Sequence, residues 1–173
     1  MNDRQAAHDR QFTEFVEGSR APLSRIAVML VGDRTAADDL LQDALVKTYL
    51  SWGRIEPGLA RAYARRVMVN LATDRWRRRR YEATPGDLGD RHEHLPSAAA
   101  LAGVEDRDRI VRELARLTPR ERAMVVLRYY ADLSEAQVAD ELGVSVGTVK
   151  STCSRALARL RPGAEPRAIP AGA

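Results

Sequence analysis

The chain has little cysteine and few aromatic residues, and the first of these scarcities excludes whole classes of protein. Cys153 is the only cysteine, so an internal disulfide is excluded, and no Cys or His spacing typical of a zinc site occurs. No run of roughly eighteen apolar residues is present, and the charged N-terminus lacks a signal-peptide core. We therefore expect a reduced, cytoplasmic protein without metal, cofactor or membrane insertion, in which Cys153 packs inside the fold.

The sequence also lacks the residue groupings that are typical of catalysis. It contains no recognisable Ser/His/Asp set, no paired carboxylates in a catalytic pattern and no glycine-rich loop that would cradle a phosphate. Its three histidines, His8, His92 and His94, fall in terminal or linker segments. An enzyme is therefore the least favoured class.

Positive charge is concentrated in one segment. The formal net charge is only +4, yet eight arginines lie between residues 61 and 80, ending in the run Arg77 to Arg80 after Trp76. Only Asp74 offsets them there. Such a concentration on a helix favours phosphate binding with strong salt dependence. A solvated surface or the border of a linker is the alternative interpretation.

The apolar pattern predicts an all-α protein of two small helical domains. Apolar residues recur at three- and four-residue steps over residues 9–80, which predicts four packed helices. Proline and glycine interrupt residues 81–104 and predict a flexible linker. Helical spacing returns over 105–161, whereas the Pro-, Gly- and Ala-rich residues 162–173 predict a disordered tail.

A helix-turn-helix is predicted within residues 118–161. Thr118 and Ser134 begin capping boxes, and Ser145 is a third cap. Ala139 is small enough for a close helix crossing, and Gly143 suits a left-handed turn. The second helix would enter the major groove. Its predicted DNA-facing residues are Thr148, Lys150, Ser151, Ser154 and Arg155. The alternative is a helical hairpin whose basic residues are merely solvated.

An acidic helix precedes the basic one. Asp33, Asp38, Asp39 and Asp43 surround Leu40 in a short stretch. This face cannot favour binding to phosphates, so it indicates a basic protein partner. An ordinary solvated face is the alternative.

Together, the three segments resemble a known family. Residues 39–43 (DLLQD), residues 66–70 (RVMVN) with the arginine run, and residues 117–161 resemble three segments of the extracytoplasmic-function (ECF) sigma factors of bacterial RNA polymerase. These segments bind core polymerase, open and read the minus-ten element, and read the minus-thirty-five element. Phrases such as VLRYY at residues 126–130 are most similar to the SigE-like actinobacterial branch.

The resemblance implies roles for particular residues. Residues 9–80 would be sigma domain two and 105–161 sigma domain four. Asp39, Gln42 and Asp43 would bind the clamp helices of the largest polymerase subunit, and the flap of the second-largest subunit would be a further contact. The minus-ten contacts would come from Arg65, Arg66, Asn70 and Arg75, with Asn70 beside the loop that captures a flipped base.

The resemblance also implies a function. The chain would direct promoter-specific initiation by binding core polymerase and promoter DNA, under control of an anti-sigma factor, of its own gene's transcription or of a further factor that the sequence does not indicate. Thr152 stands where the family often has Arg, and Ser154 lacks an aromatic found in some members, so the promoter sequence does not follow. A dimeric helix-turn-helix repressor or activator is the rival, but it leaves the acidic helix and the segment around Asn70 unexplained.

Overall fold

The computed structural model describes residues 3–82 and 104–161. These two ranges are called the first and second half below. The predicted tail and nearly all of the predicted linker lie outside the described residues. The described residues form helices and no strands, which confirms the all-α class. The helices are α1 (Asp3–Val31), α2 (Arg34–Leu50), α3 (Ala60–Glu82), α4 (Val104–Ala115), α5 (Pro119–Val125), α6 (Glu135–Leu142) and α7 (Val146–Leu160), with a short 3₁₀ turn at Trp52–Arg54.

The prediction of four helices in the first half is wrong, because α1 continues through Pro22. Proline lacks an N–H, so the carbonyl of Gly18, one turn earlier, loses its helical donor. The Nη2 of Arg61 on α3 lies 3.4 Å from that carbonyl oxygen and its Nε lies 3.4 Å from the Ser19 hydroxyl. A neighbouring helix thus supplies the donor that proline removes.

The first half packs α1, α2 and α3 around aliphatic side chains. Leu23, Leu40 and Met68, one from each helix, are fully buried. Burying each side chain contributes about 1.5–3 kcal/mol. Asp33 caps α2 by accepting a 2.7 Å hydrogen bond from the amide of Ala36, so this acidic residue serves the fold itself.

The second half contains the predicted helix starts. Thr118 and Ser134 each form a complete capping box, and Ser145 accepts from the amide of Thr148, so all three predicted caps are confirmed. Gly143 has a φ of 63°, and the amide of Val144 donates to the carbonyl of Ala139 across it. This left-handed turn sets the angle between α6 and α7.

A π-helical turn, Val126–Tyr130, extends α5. Its wider winding buries Val126 and Leu127 while Tyr129 and Tyr130 remain exposed. The guanidinium of Arg128 lies over the Tyr129 ring, 5.2 Å from its centroid. A π-helical turn holds one residue more than an α-helical turn. In this segment the aliphatic side chains lie on the buried face and the two tyrosines lie on the exposed face.

The two halves touch each other. The buried apolar residues of both halves belong to one hydrophobic cluster. Arg122 of α5 donates to the carbonyl of Leu114 in the last turn of α4 and to that of Leu117 just after this helix, and also to the carbonyl of Leu30 in the last turn of α1 at 2.8 Å. One guanidinium thus serves carbonyl-rich ends in both halves, where the helix dipole favours positive charge.

Candidate protein and nucleic-acid interfaces

The three residues predicted to bind polymerase share one surface of α2. Asp39, Gln42 and Asp43 are all exposed, whereas Leu40 and Leu41 between them are buried. Spacings of three and four residues place the polar side chains on the same helix face. The buried pair anchors α2 in the core, so the polar face is held on a rigid support.

Sequence reasoning missed the apolar continuation of this surface. Val46 is 53% exposed and Leu50 is 75% exposed, one and two turns beyond Gln42 and Asp43. The same helical spacing that groups the acidic residues could have found them. The surface formed by Asp39, Gln42, Asp43, Val46 and Leu50 is called the α2 face below. It combines negative charge with aliphatic area, as protein interfaces commonly do.

One predicted DNA contact is bonded to the α2 face. The Nη2 of Arg75 on α3 lies 2.7 Å from the Oδ2 of Asp43, and its Nη1 lies 3.4 Å from the carbonyl of Ala36. Both side chains of the ion pair keep contact with solvent. Arg75 therefore links the helix predicted to bind protein to the helix predicted to bind DNA.

Arg66 and Asn70 form the open part of the predicted minus-ten surface. Both side chains are exposed on α3, and their four-residue spacing places them on one face. Met68 and Val69 between them are buried against the rest of the first half. A cationic group and an amide are thus presented together by a well-anchored helix.

Arg65 is placed differently from the other predicted minus-ten residues. Its guanidinium makes a two-pronged ion pair with Glu141 of α6, in which Nε lies 2.9 Å from Oε2 and Nη2 bonds to Oε1. The Arg65 side chain is 11% exposed and that of Glu141 is 7% exposed. A DNA phosphate cannot reach Arg65 while this pair is intact.

The end of α3 carries exposed aromatic and basic groups. Trp76 and Tyr81 are exposed, and the guanidinium of Arg80 lies 5.4 Å from the centroid of a Trp76 ring. Arg77 is paired with Asp74 at 3.0 Å. Flat rings beside guanidinium groups suit the stacking of unpaired bases.

The predicted minus-thirty-five residues lie on α7. Lys150, Ser151, Ser154 and Arg155 are all exposed and form one face. Thr148 is half-buried, its amide donates to Ser145 at 3.1 Å, and the two hydroxyls are 2.8 Å apart. The first turn of α7 is therefore ordered by its own cap while the next two turns present polar and basic side chains.

Two other residues of α7 serve the fold. Arg159 donates to both carboxylate oxygens of Glu121 at 2.8 and 2.9 Å and to the carbonyl of Arg116 at 3.0 Å. Cys153 is buried, and this burial raises the pKa of its thiol. Burial therefore disfavours the thiolate, which is the reactive form of cysteine.

Within the parts of the chain that the structure describes, no cluster of His, Cys, Asp and Glu could hold a metal ion. A search of the same residues for a helix long and apolar enough to cross a membrane finds none.

Comparison with known proteins gives consistent matches. The model of Sigma-70 region 2 matches residues 15–81, and that of Sigma-70, region 4 matches residues 107–160. The RNA polymerase sigma-E factor of Streptomyces avermitilis is 44% identical over 167 residues, covering 94% of this chain and 90% of the relative. The ECF RNA polymerase sigma factor SigM of Mycobacterium tuberculosis is 35% identical over 150 residues, covering 86% and 74%.

A solved structure shares the fold. The sigma factor RpoE from Bartonella quintana, crystallised in complex with the anti-sigma factor NepR, superimposes with a TM-score of 0.70 at 24% sequence identity, covering 87% of this chain and 94% of that one. On the sequence relatives and the two family models, the chain belongs to the sigma factors of bacterial RNA polymerase and, within them, to the extracytoplasmic-function group that includes the sigma-E factors.

Proposed function

We propose that the chain directs promoter-specific transcription initiation by binding core RNA polymerase through the α2 face and promoter DNA through α3 and α7. The observation that supports this most directly is the separation of surface chemistry. Acidic, amide and aliphatic groups form the α2 face, whereas basic and aromatic groups occupy the exposed parts of α3 and the exposed face of α7 is polar and basic. One chain thus offers one surface suited to protein and two suited to nucleic acid.

The α2 face is proposed to bind the clamp helices of the largest polymerase subunit. Asp39, Gln42 and Asp43 would supply charge and hydrogen bonds to a basic partner, which gives specificity and fast association. Val46 and Leu50 would supply the apolar area that must be buried for a stable contact. Residues 105–161 are assigned a further contact on the flap of the second-largest subunit.

The exposed part of α3 is proposed to act on the minus-ten element. Asn70 would lie beside a flipped base of the non-template strand, and Arg66 would hold its phosphates, joined by Arg65 and Arg75 once their carboxylate partners are displaced. Unstacking a base costs a few kcal/mol, and a pocket that accepts only that base recovers the cost selectively. Trp76 offers a further ring for stacking.

The exposed face of α7 is proposed to read the minus-thirty-five duplex. Lys150 and Arg155 can reach base edges in the major groove, while Ser151 and Ser154 can donate or accept hydrogen bonds there. Thr148 lies at the start of the helix, where a phosphate would be positioned. This division leaves strand opening to the first half and duplex binding to the second.

Polymerase would make the two DNA contacts cooperate. Each module alone buries little surface, but fixing their separation turns the second binding event into an intramolecular one. The chemistry of RNA synthesis would belong to the polymerase, so the chain itself acts as a non-catalytic subunit. It would work in the cytoplasm, where polymerase and DNA are found, and an anti-sigma factor would compete for its surfaces.

Loss of the α2 face tests polymerase docking. The combined substitutions Asp39→Ala, Gln42→Ala and Asp43→Ala remove all three polar side chains of the face without touching the buried Leu40 and Leu41. We expect run-off transcription with purified core polymerase to fall at least tenfold, because the basic groups of the polymerase would lose the carboxylates with which they pair. Equal transcription from the triple variant and the unchanged chain would contradict the assigned docking surface.

A gel-shift assay separates the proposal from the rival repressor or activator. The free chain should bind promoter duplex weakly and gain specific binding only with core polymerase. Tight, specific duplex binding by the free chain as a dimer would favour the rival. The double variant Lys150→Ala with Arg155→Ala should keep core binding, and loss of core binding would contradict the division between the two halves.

A further inference from the structure

The first residue of α7 is an exposed valine. Val146 is 46% exposed, although it stands directly after the Ser145 cap. A single exposed apolar side chain is common on protein surfaces, so its position decides what it means. Val146 precedes Lys150 by four residues and Ser154 by eight, and both of these are exposed, so the three side chains lie along one face. An apolar group therefore begins the face that is proposed to contact the minus-thirty-five duplex.

The second residue of α7 is a glycine that the fold of the described residues does not require. Gly147 is not among the glycines with a positive φ, and a β-carbon at this position would meet only the Oγ of Ser145, at an ordinary contact distance of 3.9 Å. Glycine stabilises a helix less than alanine does, because its backbone loses more conformational freedom on folding. Gly147 therefore lowers stability without an internal reason, which indicates that another molecule approaches α7 here.

The turn that carries these two residues is fixed in place. Ser145 accepts a 3.1 Å hydrogen bond from the amide of Thr148, and the two hydroxyl oxygens are 2.8 Å apart. Val149, in the same turn, is fully buried and anchors the helix in the second half. A contact that distinguishes one methyl group needs such a fixed support, because a mobile side chain would adapt to either base.

Thymine is the base that matches an exposed valine at this place. In the major groove the base edges present hydrogen-bond donors and acceptors, and the 5-methyl group of thymine is the apolar exception. A valine side chain forms no hydrogen bonds but gains free energy when it covers a methyl group. The N-terminal residues of the second helix in a helix-turn-helix are those that contact base edges. Because Gly147 carries no side chain, the helix can approach close enough for the short side chain of Val146 to reach the base.

We propose that Val146 contacts the 5-methyl group of a thymine in the minus-thirty-five element, and that Gly147 permits the close approach which this contact needs. The inference rests on the proposed function of α7. It adds an apolar, methyl-specific contact to the polar contacts proposed for Lys150 and Arg155. Specificity at one A·T base pair would then come from burial of the methyl group, since no hydrogen bond is involved.

Replacing thymine by uracil tests the contact, because uracil lacks the 5-methyl group and keeps every hydrogen-bonding group. Holoenzyme is assembled from purified core polymerase and the full chain. A promoter that it transcribes is prepared with uracil at one thymine position at a time, on either strand. We expect one replacement within the minus-thirty-five element to weaken binding about fourfold, the effect of exposing one buried methyl group to water. Competition binding measures the change.

The substitution Val146→Ala shows which residue contacts the methyl group. This variant should bind the unmodified promoter about fourfold more weakly. It should lose nothing more when the sensitive thymine becomes uracil, because the two changes remove the same contact. The control Leu59→Ala removes an apolar side chain of similar exposure, 51%, from the first half and should keep the uracil effect. A uracil effect of unchanged size in Val146→Ala overturns the assignment.

The substitution Gly147→Ala tests the close approach. It should raise the midpoint of urea unfolding of the free chain, yet weaken promoter binding by the holoenzyme about tenfold, because the added methyl group holds α7 away from the base edges. The matched control is Gly18→Ala, at an exposed position of α1 where a β-carbon would meet nothing within 4 Å. It should also raise the midpoint and leave promoter binding unchanged. Unchanged binding by Gly147→Ala, or a lower unfolding midpoint, overturns the role assigned to Gly147.

A shuffled minus-thirty-five element separates this inference from the proposed function. Equal binding of the holoenzyme to the promoter and to the shuffled sequence would contradict the assignment of α7 itself. Stronger binding to the promoter, without a loss at any uracil position within the element, would overturn the methyl contact alone.

Discussion

Helices α3 and α7 both carry rows of basic residues, yet their arginines are used differently. On α7, Arg159 is bound inside its own half by Glu121, so the exposed face with Arg155 is independent of the first half. On α3, Arg65 is bound by a carboxylate of the opposite half, so the composition of its surface depends on how the halves are arranged. The arginines of one basic helix are therefore not equivalent, because a carboxylate on another helix can pair with one of them and remove it from solvent while its neighbours stay exposed.

The largest effect should follow from removing the open basic groups of α7. Lys150→Ala with Arg155→Ala should weaken minus-thirty-five recognition by the holoenzyme roughly thirtyfold, about 2 kcal/mol, since each good base contact is worth about 1–3 kcal/mol. Footprinting on a promoter with a single altered upstream element measures the loss. An equal loss on DNA that lacks this element would mean that the residues contact phosphates without regard to sequence.

Removing the engaged arginine of α7 should affect stability instead. Arg159→Ala deletes the two bonds to Glu121 and the one to the carbonyl of Arg116, and should cost about 1.5 kcal/mol in the free energy of unfolding. Urea unfolding followed by circular dichroism measures it. Arg155→Ala, on the same helix but exposed, should change stability by less than about 0.5 kcal/mol. Similar losses for both would remove the distinction between the two arginines.

A smaller effect is expected at the open arginine of α3. Arg66→Ala should reduce the dependence of single-strand binding on salt by about 0.7 in the log–log slope, the share of one phosphate contact. Binding titrations at several salt concentrations provide the slope. The control Arg10→Ala removes an equal charge from an exposed site on α1. If both variants changed the slope equally, net charge and not the α3 surface would govern binding.

The smallest effect should come from Arg61, which donates to the carbonyl that Pro22 leaves without a helical partner. Arg61→Ala leaves the Gly18 carbonyl without this guanidinium and should cost about 0.5 kcal/mol, because the bond is long and lies near solvent. Amide exchange in α1 should quicken around residues 18–22. In a Pro22→Ala background the helix regains its own donor, so Arg61→Ala should then have a smaller effect. An identical effect in both backgrounds would show that Arg61 does not stabilise α1 through the Gly18 carbonyl.

Local signals predicted much of this molecule. Thr118, Ser134 and Ser145 are recognised as caps because capping depends on residues within one helical turn. Local signals do not predict that α1 continues through Pro22. Proline removes a helical hydrogen bond and so indicates a break, whereas the donor that compensates for it, Arg61, lies far along the chain. Arg65 and Glu141 are 76 positions apart. Nothing near either residue in the sequence indicates the other, so the pair depends on how the two halves meet.

The position of Cys153 limits how the cell can regulate this factor. Its sulfur lies on the buried side of α7, the helix proposed to bind duplex DNA, where burial raises the pKa of the thiol. The chain has no second thiol with which it could form an internal bridge. Oxidants that signal through thiolates therefore find no ready target in the folded second half. A disulfide switch within these 173 residues is therefore excluded, and a disulfide to another molecule would first require Cys153 to leave its buried position.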